Sequence, residues 1–330
     1  MTTPLSLIDF CTRYPGESVR DATARSVKFA QQAESLGYSR IWYSEHHNMS
    51  TIVSSTPAVL IAHIGAHTKK IRLGSGGVML PNHSPYVSAE QFGMLAELYP
   101  DRIDLGLGRA PGTDQQTLGR ALRRDPRAAE NFPQDVQELQ AWLSNNSPIP
   151  GVTAFPGVGT NVPLYILGSS MFGASLAAKL GLPYSFASHF APQQLEQATT
   201  YYRENYEPSE RYPEPYCIAA VNVTASSSTE DAKRQQEIVH RQRVRAFVQR
   251  QGTVLTEGQL DTIVNSYQGR QIIDMLRYTA VGTGEEVKEY LEWFKDHAKA
   301  DELMISLQSA SEEEQAASME ILADAWGLRG

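Results

Sequence analysis

The sequence predicts an α/β fold, a (β/α)8 TIM barrel with an inserted segment between strands 7 and 8. Three observations predict it. Eight short apolar runs recur along the 330 residues, several of them apolar nearly throughout, as strands must be when helices cover one face and a barrel interior the other. Helical patterns fall between them. The first run is followed by Phe10-Cys11-Thr12-Arg13-Tyr14-Pro15-Gly16-Glu17, without the GxGxxG turn that opens a dinucleotide-binding doubly wound sheet. A single barrel domain over 1–330 is therefore expected.

In chain order the strands are Leu5–Asp9, Ile41–Ser44, Ile71–Leu80, Arg102–Leu107, Leu164–Leu167, Tyr184–Ala187, Tyr216–Thr224 and Leu303–Leu307. Helices are marked by Phe92, Leu95 and Tyr99, by Leu195, Ala198, Tyr202 and Tyr206, and by Val287, Leu291, Phe294 and Ala298, all at three- or four-residue spacing. Thr283-Gly284-Glu285-Glu286 has the form of a capping box, and Ser311–Glu314 that of a cap followed by an acidic first turn. Two connections exceed a simple turn: Gly108–Asn131, and 226–284, which holds more residues than one barrel helix requires. Both belong at the barrel mouth. The second is either a lid over the site or a surface elaboration.

Composition excludes several classes. A net charge of −8 has the wrong sign for a protein that binds by neutralising many phosphates, so no nucleic-acid partner is expected. No apolar run approaches the roughly 20 residues that span a bilayer, and the start, MTTPLSLIDF, lacks a basic and apolar leader. Cys11 and Cys217 form no CxxC pair and read as buried small hydrophobes of a cytoplasmic protein.

Chemistry concentrates after the strands, where a barrel enzyme places its site. Trp42-Tyr43-Ser44-Glu45-His46-His47 sets three titratable groups beyond the second strand, while the HxH pair typical of metal-dependent barrel hydrolases occurs nowhere and no metal is expected. In the third strand Gly74, Gly76 and Gly77 imply either a flat ligand against the backbone or a corner crowded by a neighbouring strand. The fourth strand delivers Arg109 beside Gly108, and an arginine there suits a phosphate. The fifth ends in Gly168-Ser169-Ser170 ahead of a helical stretch, which suits an anion at a helix N-terminus or ordinary capping equally well.

Taken together, Trp42–His47, Lys70–Pro85, Tyr99–Gly112 and Pro163–Pro183 resemble the bacterial luciferase-like flavin-dependent monooxygenases in order and spacing. The resemblance implies that reduced FMN binds as a cosubstrate at the mouth, reacts with O2 to a C4a-peroxyflavin and oxygenates a small organic substrate. By position His46 matches the family's catalytic histidine and Glu45 its loop-positioning neighbour. Gly76-Gly77 falls at a non-prolyl cis peptide under the flavin ring, Arg109 at the phosphate-binding arginine and Ser169 at a phosphate-contacting serine. The expected cofactor contacts are Ser75, Gly76, Gly77, Arg109, Gly168, Ser169 and Ser170.

Gly108 stands where luciferase has a cysteine, which argues against light emission from a long-chain aldehyde. With no NAD fingerprint in the chain, a separate flavin reductase would supply FMNH2. An F420 (deazaflavin)-dependent oxidoreductase and a non-catalytic flavin-binding protein share the same fold and remain the alternatives. Arg241, Arg243 and Arg245 read as a solvated helix face or as substrate ligands. Ala58, Ala62 and Ala66, with Gly65, form a small-residue face that suggests a homodimer or close packing on the barrel.

Overall fold

A computed structural model describes residues 3–125, 127–248 and 255–329. Its strands are β1 (Leu5–Asp9), β2 (Arg40–Tyr43), β3 (Arg72–Met79), β4 (Ile103–Gly108), β5 (Leu164–Gly168), β6 (Tyr184–Phe186), β7 (Cys217–Ala225), β8 (Thr279–Gly282) and β9 (Glu302–Leu307). The barrel is built from β1 to β7 and β9, all parallel, with β6 joined to β7, β7 to β9 and β9 back to β1. These eight are the eight runs read from the sequence, with ends displaced by a residue at most.

The outer helices include α1 (Val19–Leu36), α2 (Pro57–Gly65), α3 (Pro85–Leu98), α4 (Phe132–Leu143), α5 (Met171–Leu180) and α6 (Leu195–Glu204). Their apolar stripes bury against the outer face of the strands: Phe29 and Ala33 from α1, Phe92 and Leu95 from α3, Val136 and Leu139 from α4. Inside the barrel, below the mouth, the core turns polar. Arg40 is held by Asp104 at 2.8 Å, by Glu302 at 2.8 Å and by the Tyr165 hydroxyl at 2.8 Å. Both carboxylates are fully buried and each carries arginine hydrogen bonds, the condition under which charge survives in a low dielectric. This plug closes the lower end of the interior, so any cavity must open at the C-terminal ends of the strands.

The long connection after β7 contains α7 (Thr229–Val248), α8 (Glu257–Val264) and α9 (Tyr267–Asp274), then β8, α10 (Gly284–His297), β9 and α11 (Glu312–Trp326). Val244, Leu260 and Ile272 give the first three helices a small core of their own. Thr283 and Ser311 cap α10 and α11 as their sequences predict. Strand β8 was not anticipated. Short β6 pairs only with Cys217–Ala219, which leaves the same edge of β7 open above, and β8 fills it alongside Asn222–Ala225. With four residues and only Ala280 and Gly282 buried, it has no hydrophobic run of its own to reveal it.

Candidate active site

At the mouth, the first loop is fixed by a buried carboxylate. Glu45 is fully buried beyond β2 and takes His47 Nε2 at 2.9 Å, His83 Nε2 at 2.8 Å and the Met79 N–H at 3.1 Å. Burial opposes its ionisation, but these three partners outweigh it and hold its pKa down to about 2. An ionised carboxylate only accepts, so both imidazoles present N–H to it. Glu45 thus ties the β2 loop to the β3 loop and faces away from the cavity.

That anchoring turns the next residue inward. His46 lines the cavity, its backbone N–H bonded to the Ser54 carbonyl at 3.0 Å. Its Nδ1 is buried without a partner, and its ring stacks on Phe10 at 6.2 Å between centroids. Burial lowers its pKa, so the imidazole is neutral near pH 7.

The glycines of β3 divide between the two readings left open for them. Pairing with β4 is irregular between Ser75 and Val78, and the Gly76–Gly77 peptide within that bulge is cis. Gly76 lines the cavity beside Trp42 and Ile8. Gly77 turns the other way, where a Cβ would meet the Gly106 carbonyl oxygen at 2.6 Å. Ser75 is also turned away, fully buried, its hydroxyl donating to the Gly106 carbonyl at 2.9 Å. Of the three β3 residues expected at the cofactor, only Gly76 reaches the cavity.

Across the mouth stand Arg109, Gly168, Ser169 and Ser170, all lining the same cavity. The Arg109 guanidinium lies 3.8 Å from the Phe172 ring centroid and has no carboxylate partner among the described residues. Gly168 admits the start of α5 to close range: a Cβ there would lie 3.3 Å from the Gly173 Cα. Ser170 occupies the N-cap position, yet its side chain makes no capping bond. The Met171 N–H donates to Gln194 Oε1 at 3.3 Å, but the Ser170 hydroxyl is left free of the helix, and with Arg109 beside it this end of α5 suits an anion. Together the Arg109 and α5 groups fit a phosphate, and the apolar walls formed by Ile8, Trp42, Leu167 and Met304 fit a flat ring.

One cavity residue escaped the sequence reading. His189 follows β6, is 7 % exposed, lines the cavity and leaves both ring nitrogens without a partner. Burial, then the charge of Arg243, then His46 lower its pKa to about 3. Its signal was the one that marked His46, a histidine just past a barrel strand, but it stood alone between Ser188 and Phe190 with no motif around it. The cavity encloses about 270 Å³ and is open above.

A parallel eight-stranded barrel with a cavity at its C-terminal mouth, an arginine and a helix N-terminus at one wall and neutral histidines at the other has the layout of a barrel enzyme's active site, with a lining that suits an anionic ligand with a flat body. Comparison with known proteins narrows the class. The sequence matches the family model described as luciferase-like monooxygenase over residues 8–318. It is 42% identical over 331 residues to the luciferase-like monooxygenase of Escherichia coli (strain K12), covering 98% of this chain and 97% of that one. An N-acetyl-S-alkylcysteine monooxygenase of Bacillus subtilis (strain 168) is 32% identical, with 97% of each chain covered. The crystal structure of apo-MsnO8 superposes with a TM-score of 0.84 at 30% identity and 99% coverage of both chains. The chain belongs to the luciferase-like monooxygenase family and is an enzyme.

Proposed function

We propose that this enzyme is an FMN-dependent monooxygenase that uses reduced FMN and O2 to oxidise a small organic substrate. The observation that carries the reading is the convergence of Gly76, Arg109, the α5 N-terminus and His46 on one cavity. Arg109, Ser169 and Ser170 would hold the phosphate, by charge-assisted hydrogen bonds and the helix dipole. Gly76 and Gly168 would let the ring lie against backbone. Bound reduced FMN would supply the two electrons that activate oxygen, which a deazaflavin, a hydride carrier, does not do. That distinction and the family favour FMN over F420.

The chain's own groups would govern protons and water. His46, neutral and unpartnered at Nδ1, would take or return a proton at the reacting end of the cavity, and Glu45 would position its loop. Apolar walls would keep bulk water from the ring, and within 226–284, of which 249–254 lie outside the described residues, α7 to α9 on their own small core would act as the cover. A separate reductase would deliver the reduced flavin. Buried thiols at Cys11 and Cys217, both raised to about 12 by burial, suit a reducing cytoplasm.

Anaerobic titration of the purified protein with FMNH2 and with reduced F420, followed by admission of oxygen, tests the reading. FMN binding with oxygen uptake is expected. Binding of F420 alone, without oxygen uptake, would reverse it.

A further inference from the structure

Charge is sparse in the cavity lining. Among the described residues that form it, Arg109 is the only side chain charged at neutral pH, and no aspartate, glutamate or lysine joins it. His46 and His189 complete the titratable lining, and burial keeps both neutral near pH 7. With Arg109 committed to a phosphate, a charged group on a second ligand would lie among Ile8, Phe10, Leu167 and Met304 with nothing to neutralise it.

One polar side chain of that lining is built to meet an uncharged ligand. Ser185, Ala187 and His189 alternate along β6 and its exit, and all three line the cavity. His189 is fixed at its backbone, where its carbonyl accepts from Nδ2 of fully buried Asn222 on β7 at 2.7 Å. Its ring stands edge-on to Phe190 at 4.8 Å and tilted to Phe10 at 6.2 Å, and Phe10 in turn stacks on His46 at 6.2 Å. One phenyl ring thus separates the two imidazoles. Packing holds the His189 ring in place, yet neither of its nitrogens has a hydrogen-bond partner among the described residues. Both are shut off from bulk water, so a partner has to come from inside the cavity, and leaving the two unsatisfied is costly. A neutral imidazole offers one N–H and one lone pair.

We propose that His189 is a specificity-determining residue that hydrogen-bonds a carbonyl or hydroxyl group of an uncharged, mostly apolar substrate, whose body lies against Phe10 and Phe190. This rests on the monooxygenase reading, which commits Arg109 to FMN, and it narrows the substrate class of that site. Because the wall around His189 is apolar, this one hydrogen bond sets how the ligand is turned toward His46.

Calorimetry with and without FMN, using 4-phenyl-2-butanone, 4-phenyl-2-butanol, 3-phenylpropionate, 3-phenylpropylamine and butylbenzene, tests this. The ketone and the alcohol should bind at least roughly 10-fold more tightly than the acid and the amine. His189→Leu should weaken both roughly 5- to 100-fold and leave butylbenzene unchanged, and His189→Gln should restore part of the loss. FMN affinity should stay unchanged in both variants. In native protein carrying nitrogen-15 histidine, the ketone should also move the His189 ring signals, identified by their loss in His189→Gln. Acid or amine bound as tightly as ketone, no binding of ketone or alcohol, native ketone affinity in His189→Leu, or ring signals that stay in place at saturating ketone would overturn the proposal. So would loss of FMN affinity in His189→Leu, which would make this histidine a cofactor ligand. A His189-dependent preference for the uncharged probes in protein that takes up no FMN would instead sink the flavin reading and leave the His189 contact standing.

Discussion

His46 and Arg109 differ in what they contribute, and their variants should separate. Arg109 is an exposed cation stacked on Phe172, free to meet a phosphate, so Arg109→Ala should weaken FMN binding by about 1.5–3 kcal/mol. Fluorescence titration checks this, and unchanged affinity removes Arg109 from the site. His46→Ala should bind FMN normally and turn over about 10²–10⁴-fold more slowly. Equal turnover would leave it a packing role. His189 adds a pH dependence of stability. Its folded pKa, about 3, lies below the ordinary 6.5, so the unfolded chain binds the extra proton first and stability falls as pH drops through that interval. His46 acts in the same direction, whereas Glu45 loses its contribution only below 4.5, toward about 2. Urea midpoints of His189→Gln should accordingly vary less with pH between 6.5 and 4.5 than those of the native protein; the same slope in both would refute the assignment.

At the scale of elements, β3 carries a division of labour between adjacent glycines. Gly77 serves the β3–β4 contact, because a methyl group there would meet the Gly106 carbonyl oxygen at 2.6 Å. Gly77→Ala should therefore cost about 1–3 kcal/mol of stability by overpacking, read from thermal or denaturant unfolding. A variant as stable as the parent would show that β4 yields. Gly76 faces the cavity, and that distinction was not legible beforehand. In the sequence the two residues are identical neighbours, and only the strand register tells which face each takes. The hydroxyls after β5 were ambiguous for a related reason. Ser170 stands at an N-cap by sequence, but whether it spends its oxygen on the helix depends on its rotamer, and here it does not.

At the scale of the whole molecule, α2 and α3 bear on assembly. The small-residue face of α2 is largely used internally: Ala58 and Ala62 pack on the core, and Gly65 accommodates the Tyr99 ring. Exposed apolar side chains nearby, Val59 on α2 with Val87, Met94 and Leu98 on α3, present a surface that a second copy would cover. We predict a homodimer through this face. Light scattering should give about twice 36.5 kDa, and Leu98→Glu should shift the population toward the single chain. A native protein that scatters as one chain at micromolar concentration excludes it.

What the amino-acid sequence determined by itself was everything that depends on local pattern. Largely apolar runs such as Leu303–Leu307, buried throughout, announce parallel barrel strands, and the barrel rule then assigns Glu45, His46, Arg109 and Ser169 to its mouth. Tertiary structure alone decided which of those side chains share a cavity. Glu45 turns away while its neighbour turns in, and His189 joins from a strand with no motif. The physical reason is that orientation and pairing are set by contacts between residues far apart in the chain, such as Glu45 with His83, which no local spacing encodes.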